Sequence, residues 1–222
     1  MIRVKICGIN DAASRDAALA AGADWLGFVF FPPSPRAVTP TLAATLAAGV
    51  PSRVGLFVAP TDDDVAAVLA AVRLDVLQLY DSVERCAALR ARFGVPVWRA
   101  VGLRAAADLP GTDSGLDGLV IEASPPASAT RPGGNAAALD HSLLAGWRPP
   151  LPWLLAGGLT PANVAAAIRA TGALAVDVSS GVETAPGKKH PDLIRAFVAA
   201  ARGACWRPGA LPLDPAKGRE AL

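Results

Sequence analysis

The stretch Trp153-Leu154-Leu155-Ala156-Gly157-Gly158-Leu159-Thr160-Pro161-Ala162-Asn163-Val164 carries the unit on which the fold is built. A short apolar run is closed by two glycines and followed by a helix-start signal, so it reads as a buried strand, a tight turn and a capped helix with Pro161 at the first helical position. A second stretch, Val176-Asp177-Val178-Ser179-Ser180-Gly181-Val182-Glu183, ends another apolar run in small residues. Glycine lets backbone N–H groups approach an anion closely, and a helix N-terminus adds its positive dipole end. The two turns together suit a phosphate without any lysine; taken one at a time, they are also ordinary strand-to-helix turns.

Working outward, strand-like runs occur at Arg3–Cys7, Trp25–Phe30, Arg53–Val58, Leu74–Leu79, Val95–Ala100, Leu119–Glu122, Trp153–Ala156 and Leu174–Val178. Alanine-rich stretches of helical spacing lie between many of them: Ala12–Ala21, Leu42–Ala48, Asp62–Val72, Val83–Phe93, Ala162–Ala170 and Asp192–Arg202. Gly22, Gly94 and Gly172 stand just before strands, where a left-handed residue ends a helix. Strands alternating with helices argue for a parallel sheet with right-handed crossovers, and eight repeats in this length argue for closure as a single-domain α/β (β/α)8 TIM barrel over 1–202. An open doubly wound sheet is the competing architecture, but it expects its glycine-rich turn after an early strand rather than the seventh. Residues 203–222, with three prolines, read as a C-terminal tail.

The 21 basic and 19 acidic residues nearly balance, with no basic block, so neither nucleic acid nor a membrane surface is implied as partner. The start Met1–Cys7 lacks a signal peptide's apolar stretch, and no apolar run approaches a membrane span, so a cytoplasmic protein is expected. Cys7, Cys86 and Cys205 have no metal spacing and are odd in number, which fits free thiols in a reduced compartment. Cys86 falls in the outer helix ring and takes no role. Trp25, Trp98, Trp147 and Trp153 read as core.

In such a barrel, catalytic groups sit at the C-terminal ends of strands, and phosphates are held after strands seven and eight. Strand one ends in Cys7-Gly8, strand two in the proline-stiffened loop leading to Arg36, strand four in Gln78-Leu79-Tyr80-Asp81, and strand six in Ile121-Glu122. A lone strand cysteine is commonly structural, but the strand end favours chemistry, and a thiolate there needs a lowered pKa. Lys5 is not expected to supply it, because residues two apart on a strand share a face but lie on different levels. Arg36 offers a planar fork of donors for a carboxylate; otherwise it is a surface loop residue.

Lys5-Ile6-Cys7-Gly8, Gly27-Phe28-Val29-Phe30 leading into Ser34-Pro35-Arg36, Gln78-Leu79, Ala156-Gly157-Gly158-Leu159 with Asn163-Val164, and Val176–Glu183 with Pro186-Gly187 resemble, in order and spacing, the phosphoribosylanthranilate isomerase family of tryptophan biosynthesis. The resemblance spans roughly residues 2 to 202. It implies an Amadori rearrangement of N-(5-phosphoribosyl)anthranilate to 1-(2-carboxyphenylamino)-1-deoxyribulose 5-phosphate, without metal or cofactor. By the same resemblance Cys7 is the general base and Arg36 holds the anthranilate carboxylate. Gln78 and Asp177 contact substrate, and Gly157, Gly158, Ser179, Ser180 and Gly181 hold the phosphate. The family includes monomers and homodimers.

The mouth departs from the family pattern. Glu122 stands where the family has its acid, an aspartate; Tyr80-Asp81 replaces histidine-glycine; and the loop Gly133-Gly134-Asn135-Ala136-Ala137-Ala138-Leu139-Asp140-His141 lacks a glycine, a lysine and a threonine. His141 is expected to pack where the family has tryptophan, and His190 to start a helix. Two readings follow: a working isomerase with Glu122 as general acid, or a barrel that binds or isomerises a different phosphorylated sugar, or only binds a phosphorylated ligand.

Overall fold

The computed structural model describes residues 1–111, 115–126, 132–134 and 137–204. Eight parallel strands close a barrel in chain order: β1 (Arg3–Cys7), β2 (Trp25–Val29), β3 (Arg53–Val58), β4 (Val76–Tyr80), β5 (Val97–Leu103), β6 (Gly118–Ala123), β7 (Trp153–Leu155) and β8 (Ala175–Val178), with β8 pairing back to β1. Six helices surround it: α1 (Ala12–Ala20), α2 (Pro40–Leu46), α3 (Asp62–Ala71), α4 (Val83–Phe93), α5 (Val164–Thr171) and α6 (Pro191–Arg202). After β5 and β6 the described segments carry only 3-10 turns, Ala106–Asp108 and His141–Leu144. The expected tail 203–222 lies outside the described residues from Cys205 onward.

Local chemistry explains the boundaries. Thr39 accepts from the Leu42 N–H, so α2 begins at Pro40, two residues before the apolar run. Gly22, Gly94 and Gly172 all take positive φ, and the last two cap α4 and α5 in the left-handed region. Pro161 is not the first helical residue: Thr160–Asn163 form a separate turn, closed by a 2.7 Å hydrogen bond from the Thr160 N–H to Asn163 Oδ1, and α5 starts at Val164. His190 caps α6, its Nδ1 accepting from the Asp192 N–H at 3.2 Å. His141 is half-buried at the start of its 3-10 turn.

Period-two alternation sorts the strand residues into two cores. Val4, Ile6, Leu26, Phe28, Leu77, Leu155 and Val176 face the helices. The lower barrel interior holds Trp25, Val54, Val76, Trp98, Val120, Leu154 and Ala175. Trp25 and Trp98 meet edge to face at 5.2 Å, and Arg3 closes the floor 4.0 Å from the Trp25 ring. Gly118 leaves room for Trp98, whose Cδ1 would lie 2.7 Å from a Cβ there. Trp153 is buried and Trp147 half-buried, packed edge to face against each other. Cys86 is fully buried on α4. Bulky aromatics thus plug the lower barrel, and the upper level is left for polar groups at the mouth. Among the described residues no helix is long and apolar enough to cross a membrane.

Candidate active site

The mouth is an open cleft at the C-terminal ends of the strands. Cys7, Arg36, Gln78, Glu122, Asp177, Gly157, Gly158, Ser179 and Ser180 all line it. Gly181 does not. A Cβ at Gly181 would sit 1.8 Å from the Leu159 carbonyl oxygen, so this glycine lets the turn after β8 press against the turn after β7. Gly157 and Gly158 both have positive φ, and a Cβ on either would strike the backbone of Ala123 or Ala138. Among the described residues no backbone carbonyl accepts from the N–H groups of Gly157, Gly158 or Ser179. Ser180–Val182 forms a 3-10 turn beside them.

One wall is built from buried, paired charges. Lys5 is fully buried, and its Nζ donates to Asp177 Oδ1 at 3.0 Å. Contrary to expectation, Lys5 also acts on Cys7: its unbranched stem rises along the inner face, and the charge of its ammonium favours the thiolate against burial. Gly27, the register partner of Cys7, makes this possible; a Cβ there would lie 2.9 Å from Cys7 Sγ and 3.2 Å from Lys5 Cε. Burial pushes the Cys7 thiol up, and the ammonium groups of Lys5 and Lys189 oppose it. Burial acts to lower Lys5, but Asp177 and Cys7 together hold it above the usual lysine value.

Arg36 reaches the mouth because its loop folds back along β2, with Val38 N–H donating to the Val29 carbonyl and Gly8 packed under the arginine stem. Its Nε and Nη2 grip Glu183 at 2.7 and 2.8 Å in a two-pronged ion pair, both side chains 4% exposed. Nη1 lies beside Gly134 at the edge of the cleft. Glu183 belongs to a hairpin, β9 (Glu183–Ala185) and β10 (Lys188–Lys189), that the periodicity did not reveal. Lys189 Nζ donates to Glu183 at 3.1 Å and to the Ser179 carbonyl at 3.2 Å. Gly187 fits under Pro35 and accepts from Asn10 Nδ2, which ties the hairpin to the arginine loop. Burial lowers Lys189, whereas Glu183 falls below the usual carboxylate value because its two cations outweigh its burial. Glu183 and Lys189 are the residues that sequence reasoning missed, and Lys5 is one that it weighed and set aside; the dipeptide Lys188-Lys189 beside a glycine turn was the available signal for the hairpin.

The other wall is close to neutral. Gln78 is buried, and its Oε1 has no hydrogen-bond partner among the described residues. The same holds for Glu122 Oε1. Burial raises the Glu122 carboxyl to about 7; the Tyr80 hydroxyl opposes this, and the Asp177 charge adds to it. Tyr80 itself is pushed well above the usual phenol value by burial, then by Glu122. Gly133 from the loop after β6 packs on both: a Cβ there would fall 2.3 Å from the Tyr80 hydroxyl and 3.1 Å from Glu122 Oε1. Asn135 and Ala136 of that loop lie outside the described residues. No cluster of metal-ligating side chains occurs among the described residues.

Such a cleft pairs a carboxyl that holds its proton near neutrality with a thiol facing an ammonium, and adds Nη1 of Arg36 and backbone N–H groups with no carbonyl partner among the described residues. It suits proton transfer on a ligand with two anionic ends. Comparisons with known proteins agree. A relative from Acidiphilium cryptum named N-(5′-phosphoribosyl)anthranilate isomerase is 60% identical over 207 residues, covering 92% of this chain and all of its own. The solved structure of TrpF from Jonesia denitrificans is 41% identical with a TM-score of 0.79, covering 93% of this chain and all of that one. A phosphoribosyl anthranilate isomerase solved with reduced 1-(o-carboxyphenylamino)-1-deoxyribulose 5-phosphate is 32% identical, TM-score 0.75, over 91% of this chain and all of that one. The family model described as N-(5′-phosphoribosyl)anthranilate (PRA) isomerase matches residues 4–200, and the chain belongs to that family.

Proposed function

We propose that this protein isomerises N-(5-phosphoribosyl)anthranilate to 1-(2-carboxyphenylamino)-1-deoxyribulose 5-phosphate, with Glu122 as general acid and Cys7 as general base. One observation carries the assignment of roles. The carboxyl raised to about 7 and the thiol next to an ammonium line the same cleft from strands that are not neighbours in the ring. Two titratable groups held in such different environments divide acid from base.

Protonated Glu122 gives its proton to the ribose ring oxygen, the C1′–O bond breaks, and the nitrogen lone pair forms the Schiff base. Cys7, as thiolate, then takes the C2′ proton; the C–H electrons form the enolamine, which tautomerises to the ketone. Nη1 of Arg36 receives the anthranilate carboxylate, and the N–H groups at Gly157, Gly158 and Ser179, with Ser180 and Gly181 beside them, receive the phosphate. Gln78 and Asp177 bind the sugar between these ends. A small phosphorylated substrate and unpaired cysteines suit the cytoplasm.

Turnover of freshly generated phosphoribosylanthranilate, followed by loss of its fluorescence and corrected for spontaneous hydrolysis, tests this. Rapid turnover that falls by about 10²–10⁴ in both Cys7→Ser and Glu122→Gln is expected. A folded wild type without turnover that still binds a ribose-phosphate analogue would sink the isomerase and favour another phosphorylated sugar.

A further inference from the structure

We propose that Lys5 is a positioning residue for the proton-abstracting thiol: its ammonium, anchored by Asp177, is the charge against which Cys7 ionises and holds its thiolate. The inference rests on the reading of Cys7 as the base. Lys5 is fully buried and does not line the cleft, so it cannot meet substrate and acts only through its neighbours. Asp177 sits at its register position on β8 and accepts from it at 3.0 Å, which fixes both the charge and the direction of the ammonium. The absence of a side chain at Gly27 leaves one slot that Cys7 Sγ and Lys5 Cε share. A lysine buried only for packing would be better served by an apolar side chain, since burying a charge is costly unless it is paired.

Other groups face Cys7 from the surrounding elements. Asp177 opposes ionisation, Lys189 from β10 assists it from farther away, and Tyr80 from β4 stays neutral. Glu122 stands on β6, and Arg36 is committed to Glu183. Lys5 is the strongest influence set against burial. In the isomerisation step the thiolate gains the C2′ proton, the C–H pair enters the enolamine, and Lys5 and Asp177 end as they began, ammonium and carboxylate.

The test is the pH dependence of iodoacetamide alkylation at Cys7 in the substrate-free protein, read by peptide mass spectrometry so that Cys86 and Cys205 are separated. In Lys5→Met the midpoint is expected to rise by about one pH unit or more, since an opposite charge at this range is worth roughly 1–3 units. Lys5→Arg should stay nearer the wild type. The alkaline limb of kcat/KM should move with the midpoint. An unchanged midpoint in folded Lys5→Met overturns the proposal. If that variant fails to fold because Asp177 is left unpaired, Lys5→Met/Asp177→Asn is read against Asp177→Asn alone, by the same criterion. A midpoint that shifts in a protein without isomerase turnover overturns only the isomerase. Turnover without a shift overturns only the role of Lys5.

Discussion

The two walls of the cleft treat buried polar groups in opposite ways. On the wall of β1, β8 and the β9–β10 hairpin, Lys5 pairs with Asp177, and Arg36 and Lys189 share Glu183, all at 3.1 Å or less. On the wall of β4 and β6, Gln78 Oε1 and Glu122 Oε1 have no hydrogen-bond partner among the described residues. Charges paired with opposite charges stay ionised even when buried; a buried carboxyl that faces no cation keeps its proton more readily. The proposed base and the proposed acid therefore sit on different walls of one barrel mouth.

The sharpest way to break this contrast is to remove the proton donor. A carboxyl with a midpoint of about 7 loses its proton above that value, while the thiolate fraction of Cys7, whose thiol burial holds above the usual value, still grows, so kcat/KM should rise with pH up to about 7 and level off there. Glu122→Gln should cost about 10²–10⁴ in kcat and abolish this break in the profile. A break that survives the substitution would assign it to another group.

The same variant should be more stable than the wild type at high pH. Glu122 rises from an unperturbed 4.5 to about 7 on folding, so the folded state binds its proton more tightly than the unfolded chain. The cost is absent below about pH 4.5, grows as pH rises, and is complete above about 7, where it reaches roughly 3 kcal/mol. Urea unfolding should show Glu122→Gln gaining stability at pH 8 and not at pH 4.

On the paired wall, Glu183→Gln keeps the shape but removes the charge that aims Arg36. KM for phosphoribosylanthranilate should rise about tenfold with kcat changed less, the pattern of lost uniform binding. A drop in kcat at constant KM would place Glu183 in the chemistry instead. The smallest effect is expected from Tyr80→Phe. The hydroxyl opposes the rise of Glu122, so its loss should move the break near pH 7 upward by about half a pH unit. A downward shift would mean that Tyr80 protects the proton rather than the charge.

Much of the barrel was legible in the chain because its signals are local. Gly94 and Gly172 end helices wherever they stand, and apolar runs such as Leu26–Val29 and Val120–Ile121 mark strands without reference to partners. The boundaries that moved did so where side chains intervened, as with Thr39 before α2 and Asn163 before α5. The β9–β10 hairpin was invisible because its five strand residues are too few to show a period.

By itself, the sequence determined the order of strands and helices, the strand ends that meet at one mouth, and the residues Cys7, Arg36, Gln78, Glu122 and Asp177 that gather there. Only the tertiary structure decided which charges pair. Lys5 and Asp177 are 172 positions apart, and Arg36 and Glu183 are 147 apart. The proton affinities of Glu122 and Cys7 follow from those pairings and from burial. Both depend on what the closed barrel brings within a few ångströms, where Coulomb energies and desolvation outweigh any preference local to the chain.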